Sequence, residues 1–202
     1  MEKSRSPQEL LQAMQAGDQL ALRALWQQWA GKVQLFARMQ LAACGDDAAA
    51  LAQEVTADVF HDVWRHPQRY DGRAAFNTWL FTLARNKAVD CLRRRQRRVE
   101  LEQLASDEDL AAVQDEAPGP EAQLHSAQDR KAVLHCLRRL RNPLQREALM
   151  LWAVEDMALS DIAETQKCPE NTVKTRLFHG RRNLKLCLQQ WLGLNVAQGE
   201  QA

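Results

Sequence analysis

The chemistry most concentrated in this sequence is cationic and aromatic. Tyr70-Asp71-Gly72-Arg73-Ala74-Ala75 offers an aromatic ring, a flexible glycine and backbone amides, and the segment that follows ends with five arginines in six residues, Arg93 to Arg98. Asn77, Asn86, Lys87 and Asp90 lie between them. Stacking for splayed bases and positive charge for the backbone are what a single nucleic-acid strand requires. A second cluster lies downstream. Thr172, Thr175, Arg176 and His179 recur at i, i+3, i+4 and i+7, so they share one helical face, with Lys174 and Arg181 flanking it. Small hydroxyls and cations on the outside of a helix can read base edges in a major groove and grip phosphates.

Nothing comparable points to catalysis. His61, His66, His125, His135 and His179 do not cluster, and there is no glycine-rich nucleotide loop or nucleophile–base arrangement. The chain is therefore expected to be no enzyme, with no cofactor, no metal and no small-molecule substrate. Cys44, Cys91, Cys136, Cys168 and Cys187 are scattered singly, which indicates neither a zinc site nor a disulfide framework. They read as small core hydrophobes. No run of about 18 apolar residues exists, and MEKSRSPQEL lacks a signal-peptide core. A cytoplasmic location is expected.

The elements that must position these clusters are helical. Of 202 residues, 46% are apolar, while Gly (8) and Pro (6) are scarce. No alternating β-branched run argues for a sheet. Pro7 to Leu41 carries apolar residues at helical spacing, broken at Gly17-Asp18. Leu51 to Trp64 is a second amphipathic run that His66-Pro67 ends. Phe76 to about Arg98 is a third, burying Phe76, Trp79, Leu80, Leu83 and Val89, and its arginines also suit the negative end of a helix dipole.

The net charge of +1 hides a division. Residues 1–98 carry +5, residues 99–128 carry −8 with no Lys or Arg, residues 129–190 carry +5, and residues 191–202 carry −1. Two basic blocks are joined by an acidic connector containing Pro118-Gly119-Pro120, which reads as a flexible linker. Basic blocks suit a polyanion, because neutralising phosphates releases counterions. The expectation is all-α: two small helical domains, 1–98 and 128–192, a linker at 99–127 and a tail at 193–202.

LSDIAETQKCPENTVKTRLFHGRRNL (159–184) has helix-turn-helix spacing. Ile162 and Ala163 face inward, Lys167-Cys168-Pro169 forms the turn, and Val173, Leu177, Leu184 and Leu188 face inward in the next helix. Two residues carry a cost. A left-handed Lys167 would cost about 1 kcal/mol, and Gly180 inside a helix about the same relative to Ala.

Three stretches, AQEVTADVFHDVWRH (52–66), YDGRAAFNTWLFTLARNKAVDCLRR (70–94) and the 159–184 segment, together resemble the extracytoplasmic-function sigma factors, the two-domain minimal group of the sigma-70 family, and within it sigma-E-like members. The resemblance implies partners: core RNA polymerase through its β′ clamp helices and β flap, promoter DNA, and an anti-sigma factor. It implies that the helix at 52–66 meets the clamp helices through Glu54, Asp58 and Asp62, with Ala57 standing where Gln is common. It implies that Tyr70, Asp71, Gly72, Arg73 and Ala74, with Asn86, Lys87 and Asp90, hold a base flipped from the minus-ten element. It implies that Thr172, Lys174, Thr175, Arg176, Phe178, His179 and Arg181 read the minus-thirty-five element. His179 replaces a usual Arg and Asn171 a usual Gly, so promoter preference is expected to differ. The rival reading is a regulator that binds duplex DNA through 159–184 alone, which gives Asn86 no role. A protein-interaction module such as an anti-sigma factor would not require the basic helix.

Overall fold

The computed structural model describes residues 5–105 and 125–191, and every regular element among them is helical. The chain divides into two compact units, Met1–Asp115 and Glu116–Ala202.

In the first unit α1 (Pro7–Gln15) starts at a capping box. The Ser6 hydroxyl accepts from Glu9 N, and the Glu9 carboxylate accepts from Ser6 N at 2.7 Å. Those bonds hold the Glu9 carboxyl below its ordinary range. Gly17, at φ 88°, makes the break, and Asp18 caps α2 (Gln19–Gln40) through Leu20 N. A short 3-10 turn at Ala42–Asp47 leads to α3 (Ala48–Arg65), a second at Pro67–Arg69 follows, and α4 spans Phe76–Ala105. Leu25, Val33 and Phe36 of α2, Val55, Val59 and Phe60 of α3, and Leu80 and Phe81 of α4 fill the core.

One run of rings links that core to the surface. Phe36 meets Phe81 at 5.2 Å, Phe81 meets Trp29 at 6.4 Å, Trp29 meets Phe76 at 5.2 Å, and Phe76 meets Tyr70 at 5.5 Å. Edge-to-face pairs of this kind add about 0.5–1.5 kcal/mol each beyond their burial. Tyr70 is thus the outer end of an ordered aromatic chain. Trp26, which shares the apolar period of α2, lies half on the surface against Phe60.

Helix α4 continues seven residues beyond the expected end at Arg98. VELEQLA consists mostly of good helix formers, and an acidic charge by itself does not stop a helix. The Pro118-Gly119-Pro120 stretch lies outside the described residues.

The second unit holds α5 (His125–Arg138), α6 (Pro143–Ala153), α7 (Leu159–Gln166) and α8 (Glu170–Trp191). Asn142 caps α6, accepting from Leu144 N and Gln145 N, with Pro143 in the first helical position. Arg146 is buried and donates to the carbonyls of Arg138 and Leu140 at 3.2 and 3.1 Å, closing the end of α5. Burial lowers the pKa of its guanidinium, and its Nε has no hydrogen-bond partner among the described residues. Lys167 does adopt the left-handed conformation, φ 51° and ψ 51°, and its neighbour Cys168 donates back to Ala163 O. Gly180 is explained by packing, because a Cβ there would lie 2.9 Å from Leu149 Cδ1. Val173 and Leu177 are buried as expected, while Leu184 and Leu188 are half-buried.

The cysteine reading needs correction. Cys136 of α5 and Cys187 of α8 form a disulfide, with their Cα atoms 5.6 Å apart. They are 51 positions apart in sequence, and the packing of α5 on α8 brings them together, which spacing along the chain could not show. Cys44, Cys91 and Cys168 remain free, and burial raises the Cys44 thiol.

Candidate nucleic-acid interface

The loop before α4 is preshaped. The Tyr70 hydroxyl donates to Ala74 O at 2.9 Å and closes the turn. Arg73 N donates to Asp71 Oδ1 at 3.0 Å, and the Arg73 guanidinium lies 3.3 Å from Asp71 Oδ2. Gly72 sits at φ 75°, where a side chain is strained. Asp71, Gly72 and Arg73 are exposed, and Tyr70 and Ala74 are half-buried. The Tyr70 ring is also 5.4 Å from Trp79, which is itself half-buried. The loop therefore offers a rim of backbone around a braced ring.

Asn86, Lys87 and Asp90 lie further along α4. Asn86 is about 15 Å along the axis from Phe76, at the usual rise per residue. Asn86 and Asp90 are exposed, and Asp90 pairs with Arg93 at 3.6 Å. Lys87 Nζ is 3.7 Å from Asp62. A strand running from the loop along α4 would pass from a ring to an amide and then to arginines.

Glu54 and Asp58 are exposed on α3, one turn apart. They line a groove of about 760 Å³ whose other wall carries Arg94, Arg95 and Arg98 of α4. Arg95 is committed to Asp47, which raises the pKa of its guanidinium. Asp62 is set apart from the other two carboxylates. It is bonded to Arg69 Nη1 at 3.1 Å and paired with Lys87.

On α8, Lys174, Thr175, Phe178, His179 and Arg181 are exposed, while Thr172 and Arg176 are half-buried. Phe178, at 65% exposure, meets the His179 ring at 5.3 Å. The Thr175 hydroxyl donates to Asn171 O at 2.9 Å, leaving its oxygen as an acceptor. The Arg181 guanidinium lies over the Trp152 ring, 3.9 Å from its centroid. Arg176 Nη1 donates to Gln166 Oε1 at 2.7 Å and contacts Cys168 Sγ at 3.2 Å. Gln166 and Trp152 were not identified as site residues from the sequence. The apolar period of α6 assigns Trp152 inward, and a glutamine in the last turn of α7 carries no pattern. Among the described residues no group of His, Cys, Asp and Glu could hold a metal ion, and no helix is long and apolar enough to cross a membrane.

Comparison with known proteins matches residues 34–98 to the sigma-70 region 2 family and residues 130–184 to the sigma-70 region 4 family. A curated relative, the ECF RNA polymerase sigma factor SigK of a Mycobacterium species, is 32% identical over 142 residues, covering 68% of this chain and 69% of the relative. RNA polymerase sigma-H factor of Pseudomonas aeruginosa is 30% identical, covering 92% of this chain and 95% of that protein. The ECF RNA polymerase sigma-E factor of Haemophilus influenzae is 26% identical, covering 94% and 98%. Among solved structures, the sigma factor RpoE of Bartonella quintana, in complex with the anti-sigma factor NepR, aligns with a TM-score of 0.59 at 21% identity, covering 82% of this chain and 96% of that one. CnrH in complex with the cytosolic domain of CnrY aligns at 0.58 and 21%, covering 92% and 99%. These two likenesses carry the fold.

Proposed function

Because the chain belongs to the extracytoplasmic-function sigma factors of the sigma-70 family, we propose a division of labour among its surfaces. The protein is an alternative sigma factor that joins core RNA polymerase and directs it to promoters. The proposed polymerase contact in the first unit is Glu54 and Asp58 against the β′ clamp helices, with Asp62 behind them. The second unit meets the β flap. The 70–75 loop, together with Asn86, Lys87 and Asp90, holds a base flipped from the minus-ten element. The outer residues of α8 read the minus-thirty-five element.

The observation that carries this reading is the loop. A ring braced by Phe76 and Trp79, a turn closed by the Tyr70 hydroxyl and an exposed glycine stand at the head of a helix that carries five exposed arginines between positions 93 and 98. Splaying a base out costs a few kcal/mol, about what stacking and a few hydrogen bonds return. A regulator that only grips duplex DNA has no use for such a loop.

The solved sigma factor RpoE of Bartonella quintana is in complex with an anti-sigma factor, and the proposed regulator of this chain is a protein of that kind. The proposed setting is the cytoplasm, with residues 1–98 and 128–192 as working domains, 99–127 as the acidic tether and 193–202 as a tail. Run-off transcription with core polymerase, with and without the protein, is the test. Promoter-dependent transcripts that require the protein support the reading. Tight promoter binding by the free chain with no effect on transcription by core would sink it.

A further inference from the structure

Gln166 is the last residue of α7 and is 5% exposed. Its amide is fixed at both ends. Nε2 donates to Leu144 O in α6 at 3.0 Å, and Oε1 accepts from Arg176 Nη1 in α8 at 2.7 Å. This orientation is forced, because a backbone carbonyl only accepts and a guanidinium only donates. The same Nη1 touches Cys168 Sγ at 3.2 Å, so the turn between the two helices supplies a second anchor. Among the described residues, Arg176 Nε and Nη2 have no protein partner. One edge of the guanidinium is clasped and the other is left open.

We propose that Gln166 is the positioning residue for Arg176, and that this buried amide sets base preference in the upstream promoter element without touching DNA. The proposal rests on the reading of α8 as the helix that enters that element. A free arginine gives up about 2 kcal/mol of rotamer entropy when fixed. An arginine already held in the free protein gives up less at the moment of binding. The clasp also sets the plane of the guanidinium, and a bidentate contact with a guanine edge depends on that plane. The acceptor belongs to a buried side chain at the end of α7, so the aim of Arg176 is referred to the packed body of the second unit rather than to the exposed turn.

The test uses the full chain with core polymerase on promoters in which each upstream base pair is changed singly. Arg176→Ala should flatten the response at one or two positions. Gln166→Leu should flatten the same positions by about three- to tenfold, in the lower part of the range of a direct side-chain coupling, and should add nothing in an Arg176→Ala background. Gln166→Glu keeps an acceptor for Arg176 but cannot donate to Leu144 O, so it should keep the wild-type profile while melting at a lower temperature. It remains informative if Gln166→Leu does not fold. A purely structural amide would lower transcription equally on every promoter and would do so again in the Arg176→Ala background. That result overturns the proposal, as does a Gln166→Glu profile as flat as that of Arg176→Ala. An Arg176→Ala variant with no position-specific loss would instead remove the reading of α8 at that residue, and the clasp proposal with it.

Discussion

Lys87 Nζ lies 3.7 Å from Asp62 Oδ2, so the helix that leaves the loop is tied to the acidic stripe of α3. The other hold on Asp62 is Arg69, at 3.1 and 3.3 Å, just ahead of the loop. The carboxylate therefore braces the loop from two sides. Asp58, one turn earlier, is exposed and faces the groove instead. Two carboxylates four residues apart on one helix are thus in different positions to act. Asp58→Arg should abolish retention of the protein by core polymerase in co-purification. Asp62→Ala should leave most of that retention and weaken promoter opening about two- to fivefold, the value of partly exposed ion pairs. Equal loss of core binding in the two variants would show that the acidic stripe acts as one surface.

Asn86→Ala and Gly72→Val should spare recruitment and impair opening, read by permanganate reactivity of unpaired thymines. Gly72 is at φ 75°, so a β-branched residue there strains the turn that the Tyr70 hydroxyl closes. Asn86 carries no such backbone constraint, and its loss removes only an amide. On templates already melted into a bubble, the Asn86→Ala defect should shrink if the amide mainly holds the base during melting. If Asn86→Ala lost core binding as badly as Asp58→Arg, the 70–98 segment would be support for the polymerase face and not a base pocket.

Much of this arrangement is legible in the residues, and what is not has a common cause. The breaks at Gly17-Asp18 and His66-Pro67, the turn at Lys167-Cys168-Pro169 and the inward Val173 and Leu177 follow from local chemistry and helical period. So does the exposed face of Lys174, Thr175 and His179. The pairing of Cys136 with Cys187, the clasp of Gln166 on Arg176 and the stacking of Arg181 on Trp152 join different helices, and a single sequence does not say which helices touch. Gly180 shows both sides. The sequence reveals a glycine with a propensity cost, and only the approach of Leu149 reveals why it is there.

Gly180→Ala is therefore expected to destabilise the second unit, even though alanine is the better helix former by about 1 kcal/mol. Its Cβ would sit 2.9 Å from Leu149 Cδ1 and 3.2 Å from Leu149 Cγ. Overpacking of this kind costs about 1–3 kcal/mol. Thermal melting should show a lower midpoint for Gly180→Ala. Part of it should return in a Gly180→Ala/Leu149→Ala double variant relative to Leu149→Ala alone. A midpoint above wild type would mean that α6 and α8 separate at little cost.

The disulfide predicts a redox-dependent stability. Under oxidising conditions the denatured chain should present three titratable thiols, those of Cys44, Cys91 and Cys168. Reduction, or Cys136→Ser, releases a loop of 51 positions, for which the chain-entropy account gives at most about 4 kcal/mol. The reduced protein should melt earlier in the second unit only. Five reactive thiols in freshly oxidised, denatured protein would exclude the bond.

Lys174 and Arg176 should separate in their dependence on sequence and salt. Lys174 is exposed, and a flexible ammonium of that kind suits a phosphate more than a base edge. Arg176 is half-buried, with one nitrogen already engaged, and its remaining edge matches a planar acceptor pair. Lys174→Ala should weaken binding by holoenzyme on every promoter tested and lower the slope of log affinity against log salt by about one. Arg176→Ala should cost about 1–3 kcal/mol on promoters with an intact upstream element and little where the contacted base pair is already changed. Footprinting at several salt concentrations across a set of promoter variants measures both effects together. Two variants with the same sequence profile and the same salt slope would mean that both side chains hold only the phosphate backbone, and base preference would then have to come from Phe178 and His179, the exposed ring pair beyond them on α8.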